Sequence, residues 1–367
     1  MASPPTPQPL SFLEKVDLLA GQLSIVGSAL WTVVTGVFRG DSYPKEYKIH
    51  VLHSIVRKLV SRLSGRQMQA LTPSTSRGYE IFMKGQRLQP ETVALQHGAA
   101  GHWIGNKDAK KVVIYYHGGG FVLPAVPAHF SFYAQLISSL NTTGHDVSLF
   151  FISYSLAPTA IYPTQLRQAI SALRYILTDT NRSPSDILLA GDSAGGNLAL
   201  STLLHLTHPH PAIEPLDVSS PLAGVAAFAP WVNFGTDGAS MRDNMYKDCI
   251  PPDIQLMWAP QYLHGMSQDG KEKEKERQGD AWSEPCRAPL EWWVGAKAEE
   301  IIFLAGRDEV LFSAIDGFVE RFKTVFPKTT YFIGYGETHV APVYSSHVLG
   351  RETQQGGELQ RWLGSRL

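Results

Sequence analysis

Gly191-Asp192-Ser193-Ala194-Gly195 sets a serine in the pattern G-x-S-x-G. The pattern alone is weak, because a phosphate-binding turn is also rich in glycine. The spacing here, however, fits neither a P-loop nor G-x-G-x-x-G. Context gives it meaning. An apolar run at 187–190 precedes the serine, and an apolar segment with helical character follows at 194–206. A tight strand-to-helix turn lifts a hydroxyl above a sheet, beside the positive end of a helix, and only small residues fit around it.

A serine is a poor nucleophile at neutral pH and needs a base, with an acid to orient that base. On an α/β sheet these come in the order serine, carboxylate, histidine, on loops at the carboxyl ends of later strands. The apolar run at 300–306 ends in Arg307-Asp308-Glu309-Val310-Leu311 and offers two carboxylates. The run at 329–335 ends in Gly336-Glu337-Thr338-His339. Strand end and chain order select His339 as base. His205, His208 and His210 lie on or just past the serine's own helix, His264 falls in an insertion, and His347 in the last helix.

A second signal is the strand-like run at 110–117 followed by Gly118-Gly119-Gly120. Three glycines in ordered structure point to a backbone that must come very close to something. Attack on an acyl carbon creates an oxyanion that needs preorganised N–H donors. Gly118 and Gly119, with the N–H of Ala194 behind the nucleophile, are the candidates. His117 is expected to anchor this loop rather than to carry protons.

These residues need a sheet to hold them. Strands are expected at 91–97, 101–105, 110–117, 145–155, 185–193, 221–230, 300–306 and 329–335, with helices at 164–177, 194–206 and about 313–326. Continuous apolar strands alternating with helices predict an α/β fold with a mostly parallel sheet covered on both faces. The first strands look antiparallel. Between 231 and 300 the alternation fails, marking a cap insertion that holds five of the eight tryptophans and the charge run at 271–277. The charge run reads as a solvated segment. The tryptophans suit the wall of an apolar pocket, for which Trp231, Trp258 and Phe121 are the candidates.

Before residue 90 two amphipathic segments are expected to form helices. In the first, Phe12, Val16, Leu19, Leu23, Val26, Leu30, Val33 and Val37 recur at steps of four and three, and no charge falls between 18 and 38. This one-sided stripe reads as a cap helix packed on the domain, ahead of an interfacial membrane helix and of a true span. The second covers 49–63. Domain boundaries follow: cap helices over 1–90, then an α/β domain over 91–367.

The chain of 367 residues is 44% apolar and 18% charged, with a net charge of −1, which offers nucleic acid no basic field. The two cysteines, Cys249 and Cys286, are expected to be reduced thiols, and the chain cytoplasmic, with peripheral membrane association as the alternative. No metal or cofactor is called for.

"HGGGFV" at 117, "YSLAPTAIYP" at 154, "GDSAGGN" at 191 and "APWVNF" at 229 together resemble the hormone-sensitive-lipase branch of the α/β-hydrolases. Within that branch they are similar to esterases of fungal secondary-metabolite clusters. The resemblance runs from about residue 111 onward. It implies an eight-stranded sheet and a helical cap. It also implies Ser193 as nucleophile, Asp308 as acid, His339 as base, and Gly118, Gly119 and Ala194 as oxyanion donors. At the acid position the branch often has Asp-Pro-Leu, where this chain has Asp308-Glu309-Val310-Leu311. The expected activity is hydrolysis of a hydrophobic small-molecule ester in a biosynthetic pathway. Alternatives on the same fold are acyl transfer, product release or cyclisation, and a non-catalytic small-molecule receptor.

Overall fold

Eight apolar runs pair into one sheet: β1 (Thr92–Ala94), β2 (Ala100–Ile104), β3 (Lys111–Tyr116), β4 (Val147–Ser153), β5 (Ile187–Asp192), β6 (Gly224–Phe228), β7 (Ile301–Gly306) and β8 (Thr329–Gly334). The computed structural model describes residues 9–265, 278–350 and 352–367, so the charge run at 271–277 lies outside the described residues. Spatial order is β1-β2-β4-β3-β5-β6-β7-β8. β2 is antiparallel to both β1 and β4, and every other pair is parallel.

Helices on both faces explain the unbroken apolar strands. Alternate side chains of one strand point to opposite faces. Val113 and Tyr115 of β3 meet Tyr133 and Leu140 of α5 (Pro127–Thr142) and Trp362 of α12 (Gln354–Arg366) in one core layer. Val112, Ile114 and Tyr116 join the other layer with α6 (Thr164–Thr178), α7 (Ala194–His205) and α10 (Phe312–Phe322). Both layers are closed to water, so neither face needs polar residues.

Four helices precede the sheet: α1 (Phe12–Thr35), α2 (Tyr47–Arg62), α3 (Gly65–Leu71) and α4 (Thr75–Gly85). The segment between β6 and β7 carries α8 (Ala239–Asp243) and α9 (Ile254–His264), and α11 (Ala341–Leu349) follows β8. Cys249 and Cys286 are free thiols.

The structure reverses the orientation expected for the stripe on α1. α1 starts at a capping box between Ser11 and Glu14 and runs antiparallel to α2. Asp17 pairs with Arg62 at 2.6 Å, while the Tyr47 hydroxyl donates to the Val33 carbonyl, also at 2.6 Å. Gly21 lies against Leu63, and Gly36 against His50. The fully buried positions of the inward face are therefore small, Gly21, Thr32 and Gly36, with Ser28 half-buried, and of its large side chains Leu18 and Ile25 are half-buried against the core. Leu19, Leu23 and Leu30 of the stripe are 60%, 67% and 64% exposed. Small residues let two helix backbones approach closely, which large apolar side chains at the same positions would prevent.

Candidate active site

Ser193 sits between β5 and α7 with φ 53° and ψ −117°, a conformation that costs a non-glycine residue about 1–3 kcal/mol. Close neighbours hold it there. Its N–H donates to the Phe228 carbonyl at 2.8 Å, and its carbonyl accepts from Trp231 and Asn197 at 3.0 Å each. A Cβ on Gly195 would lie 1.9 Å from the Tyr116 carbonyl oxygen, so the turn can close only with glycine at that position.

His339 follows β8, and its Nδ1 bonds to Glu309 Oε2 at 2.7 Å, with both side chains buried. The other oxygen of Glu309 accepts the Gly306 N–H at 2.8 Å. With Nδ1–H donating to the carboxylate, Nε2 is the ring's free basic nitrogen. Burial works against a charged imidazole here, yet the bond to Glu309 and its negative charge outweigh it and raise the His339 pKa.

The expectation of Asp308 as the acid is corrected by this geometry. Asp308 faces outward and pairs with Lys247 Nζ at 3.1 Å, each side chain 27% exposed. Its own N–H donates to the Glu337 carbonyl at 3.0 Å. The turn after β7 sends residue 308 toward solvent and residue 309 under the sheet edge, where Val310 and Leu311 are buried with it.

Sequence reasoning missed Asp248. One oxygen of this buried carboxylate accepts the N–H groups of Cys249 at 2.7 Å and His339 at 3.0 Å, and the other accepts Val310 N–H at 2.7 Å. It thus ties the loop of Glu309 to the loop of His339. α2 grips the same segment: His53 Nδ1 bonds to the Lys247 carbonyl at 2.8 Å, and Arg57 donates to the Asp248 carbonyl. Asp248 belongs to no motif and no periodic run, so nothing in the sequence marks it.

The glycine loop is also corrected in part. Gly118 donates its N–H to Asp192 Oδ1 at 2.9 Å and is not available to an oxyanion. Gly119 and Gly120, with φ of +104° and +61°, border the cavity beside Ser193. Their N–H groups have no protein acceptor among the described residues. Ala194 opens α7, where backbone N–H groups lack helical partners. The backbone N–H groups beside Ser193 that remain candidates for this task are those of Gly119, Gly120 and Ala194.

His117 holds the loop, as expected. Its Nδ1 bonds to the Gly118 carbonyl at 2.7 Å, its Nε2 to Thr75 Oγ1 at 3.1 Å, and burial pushes its pKa down to about 3. Asp192 is buried beside it. Burial opposes its charge, but His129 at 3.4 Å and the Tyr115 hydroxyl more than offset this and lower the carboxyl's pKa.

Ser193, His339, Gly119 and Gly120 open on one cavity of about 260 Å³ whose wall is almost wholly apolar. α2 supplies Leu52, Ile55, Val56 and Leu59, and the insertion supplies Ile250, Ile254 and Trp258. Trp231 and Trp258 line it as expected. Phe121 does not: it is buried behind the wall, stacked on Tyr262 with ring centroids 3.9 Å apart. The remaining tryptophans of the insertion serve packing, with Trp282 against Trp292, and Trp293 against Phe322. Among the described residues no group of three or more His, Cys, Asp or Glu could hold a metal ion.

This strand-end serine, its histidine and the glycine loop are the features of an α/β-hydrolase. Residues 113–340 match the model of a family with the alpha/beta hydrolase fold, and the chain belongs to that family, in its hormone-sensitive-lipase-like branch. Among similar proteins is steryl acetyl hydrolase 1 of Saccharomyces cerevisiae, 29% identical over 33% of this chain and 27% of that one. Neutral cholesterol ester hydrolase 1 of Mus musculus is 30% identical over 30% and 31% of the respective chains. The chain spans between about a quarter and a half of the length of the curated relatives it matches first, at 27%, 44% and 27%. Carboxyl esterase 2 of the fungus Tuber melanosporum shares the fold at 19% identity and a TM-score of 0.60, over 75% of this chain and 84% of that one. A thermostable esterase from Pseudomonas putida does so at 18% and 0.63, over 89% and 97%.

Proposed function

We propose that the protein is a serine carboxylic-ester hydrolase that works through an acyl-enzyme on hydrophobic small-molecule esters. The observation that carries this reading is the Glu309–His339 bond placed on the same apolar cavity as the strained Ser193 turn. Ser193 Oγ attacks the ester carbonyl while His339 Nε2 takes its proton, and Glu309 fixes the tautomer and balances the imidazolium. The N–H groups of Gly119, Gly120 and Ala194 receive the oxyanion. The imidazolium then protonates the leaving alcohol, and the ring next activates water to release the acid.

The names of the relatives, an acetyl hydrolase of sterols and a cholesterol ester hydrolase among them, favour an ester with a bulky apolar part. The apolar wall suits that part. The resemblance to esterases of fungal secondary-metabolite clusters directs the search toward polyketide-derived esters. An intact set of nucleophile, base and acid favours catalysis over a receptor role.

A serine-directed phosphonate should label Ser193 stoichiometrically, and a panel of acyl esters should be turned over. Ser193→Ala should abolish labelling and lower kcat by about 10⁶, to the level left by binding and the oxyanion donors. Turnover of the natural substrate that survives Ser193→Ala would end this reading.

A further inference from the structure

A helix on a water-soluble surface turns its large apolar side chains inward; α1 does the opposite. Of the residues exposed between 18 and 38, only Gln22 is polar. Leu23 is 67% exposed, Trp31 71% and Phe38 87%. The face with Gly21, Thr32 and Gly36, where only Leu18 and Ile25 are large, is the one turned inward, Gly21 and Gly36 lying against α2 and its end. Both threonine hydroxyls on the helix are closed off internally: Thr32 Oγ1 donates to the Ser28 carbonyl at 2.9 Å and Thr35 Oγ1 to the Trp31 carbonyl at 2.8 Å. Charged residues stand only at the ends, with Glu14, Lys15 and Asp17 before the ridge and Arg39 and Asp41 after it.

We propose that α1 seats the protein on a lipid bilayer, its outward ridge immersed among acyl chains while its small face stays on α2. Small residues at the helix–helix contact and large ones outward is the sorting that hydrocarbon surroundings favour. The ridge from 18 to 38 is about 31 Å long at 1.5 Å per residue, and Trp31 near its end suits the headgroup boundary. A second copy of the chain fits less well. Protein interfaces carry roughly one hydrogen bond per 100–200 Å² to fix their register, and the exposed side chains of this ridge offer only the Gln22 amide and the Trp31 indole N–H. A bilayer needs no such partner.

The seat also places the cavity. α2 meets α1 on one side and lines the cavity with Leu52, Ile55, Val56 and Leu59 on the other, so a single helix separates the immersed ridge from the site. A hydrophobic ester held in the bilayer then lies one helix away from Ser193. This consequence rests on the esterase reading; the seat itself does not.

Flotation of the full chain with phosphatidylcholine vesicles on a sucrose gradient tests the proposal. The protein should rise with the vesicles. The variant Leu19→Glu/Leu23→Glu/Leu30→Glu should cut the floated fraction by roughly tenfold or more, since charge is costly in hydrocarbon. Its turnover of a water-soluble short-chain ester should stay unchanged, because the three side chains are exposed and line no part of the cavity. Brominated phosphatidylcholine should quench tryptophan fluorescence of the wild type, and less so after Trp31→Phe, a readout that does not depend on the glutamate variant folding. Wild-type protein that stays at the bottom of the gradient, or a glutamate variant that floats equally well, would overturn the seat. So would a dimer in solution broken by the same three substitutions, which would give the ridge to a second copy. A floating protein that turns over no ester would overturn the esterase reading and leave the seat standing.

Discussion

The strand-end apparatus and the α1–α2 hairpin meet at one cavity and are held in opposite ways. At the strand ends the acid, the base and the loops that carry them are buried and fixed by directed bonds: Glu309 to His339 and Gly306, Asp248 to Val310 and His339, Gly118 to Asp192. In the hairpin the work is done by shape and apolar surface, with α2 turning Leu52, Ile55 and Val56 to the cavity and α1 turning Leu23 and Leu30 away from the protein. The contrast separates two tasks. Hydrogen bonds at the sheet's carboxyl edge set what chemistry occurs, and the helices outside the sheet set what arrives there.

If that division is right, substitutions on the two sides should fail differently. The largest effect is expected at the acid. Glu309→Gln should lower kcat by about 10⁴, as loss of the orienting carboxylate does in such triads, while Asp308→Asn should leave kinetics near wild type. The reverse ranking would mean that the observed 2.7 Å contact is not the working one.

Next comes Asp248→Ala. It leaves three buried N–H groups without their acceptor and frees both loops, and a displacement of about 1 Å can cost roughly 10² in rate. The loss should fall on kcat with KM little changed, and Asp248→Asn should restore part of it. A loss confined to thermal stability, with kcat intact, would make Asp248 a packing residue only.

On the hairpin side, Val56→Trp narrows the cavity. KM for bulky esters should rise roughly tenfold, within the range that pocket shape commands, while acetate esters of small alcohols are spared. An equal loss for small and bulky substrates would erase the distinction between the two regions.

The smallest effect is on pH. A protonated ring cannot accept the Ser193 proton, so kcat/KM falls as pH drops through the His339 pKa, which Glu309 holds above the ordinary imidazole value. Glu309→Gln removes the charge that favours the imidazolium while burial remains, so the residual activity should lose its acid limb at a lower pH than wild type. Val56→Trp should not move it.

What the sequence revealed follows the same division. Parallel strands buried on both faces are continuous apolar runs, so the sheet was readable, and with it the strand ends that carry Ser193 and His339. Choosing between Asp308 and Glu309 depends on how a two-residue turn rotates the backbone, and no periodicity extends there. Which glycines of 118–120 face the cavity is decided by Asp192, 74 residues away in the chain from Gly118. Asp248 acts on partners 62 and 91 residues distant from within an irregular segment. On α1 the 3.6-residue period revealed that one face differs from the other, but a period carries no sign. Only the contact with α2 shows that the small face is the inner one.

One feature of the sheet order bears on how long the molecule stays active. His339 lies five residues beyond β8, the outermost strand, which pairs with β7 alone and is only half-buried along most of its length. Ser193 instead follows β5, deep in the sheet and paired on both sides. Edge elements open at lower free energy than the centre of a domain. Warming or mild denaturant should therefore detach the base while the nucleophile's turn and most of the sheet stay folded. The protein's working lifetime is then set by the fraying of one margin, and it goes silent before it melts.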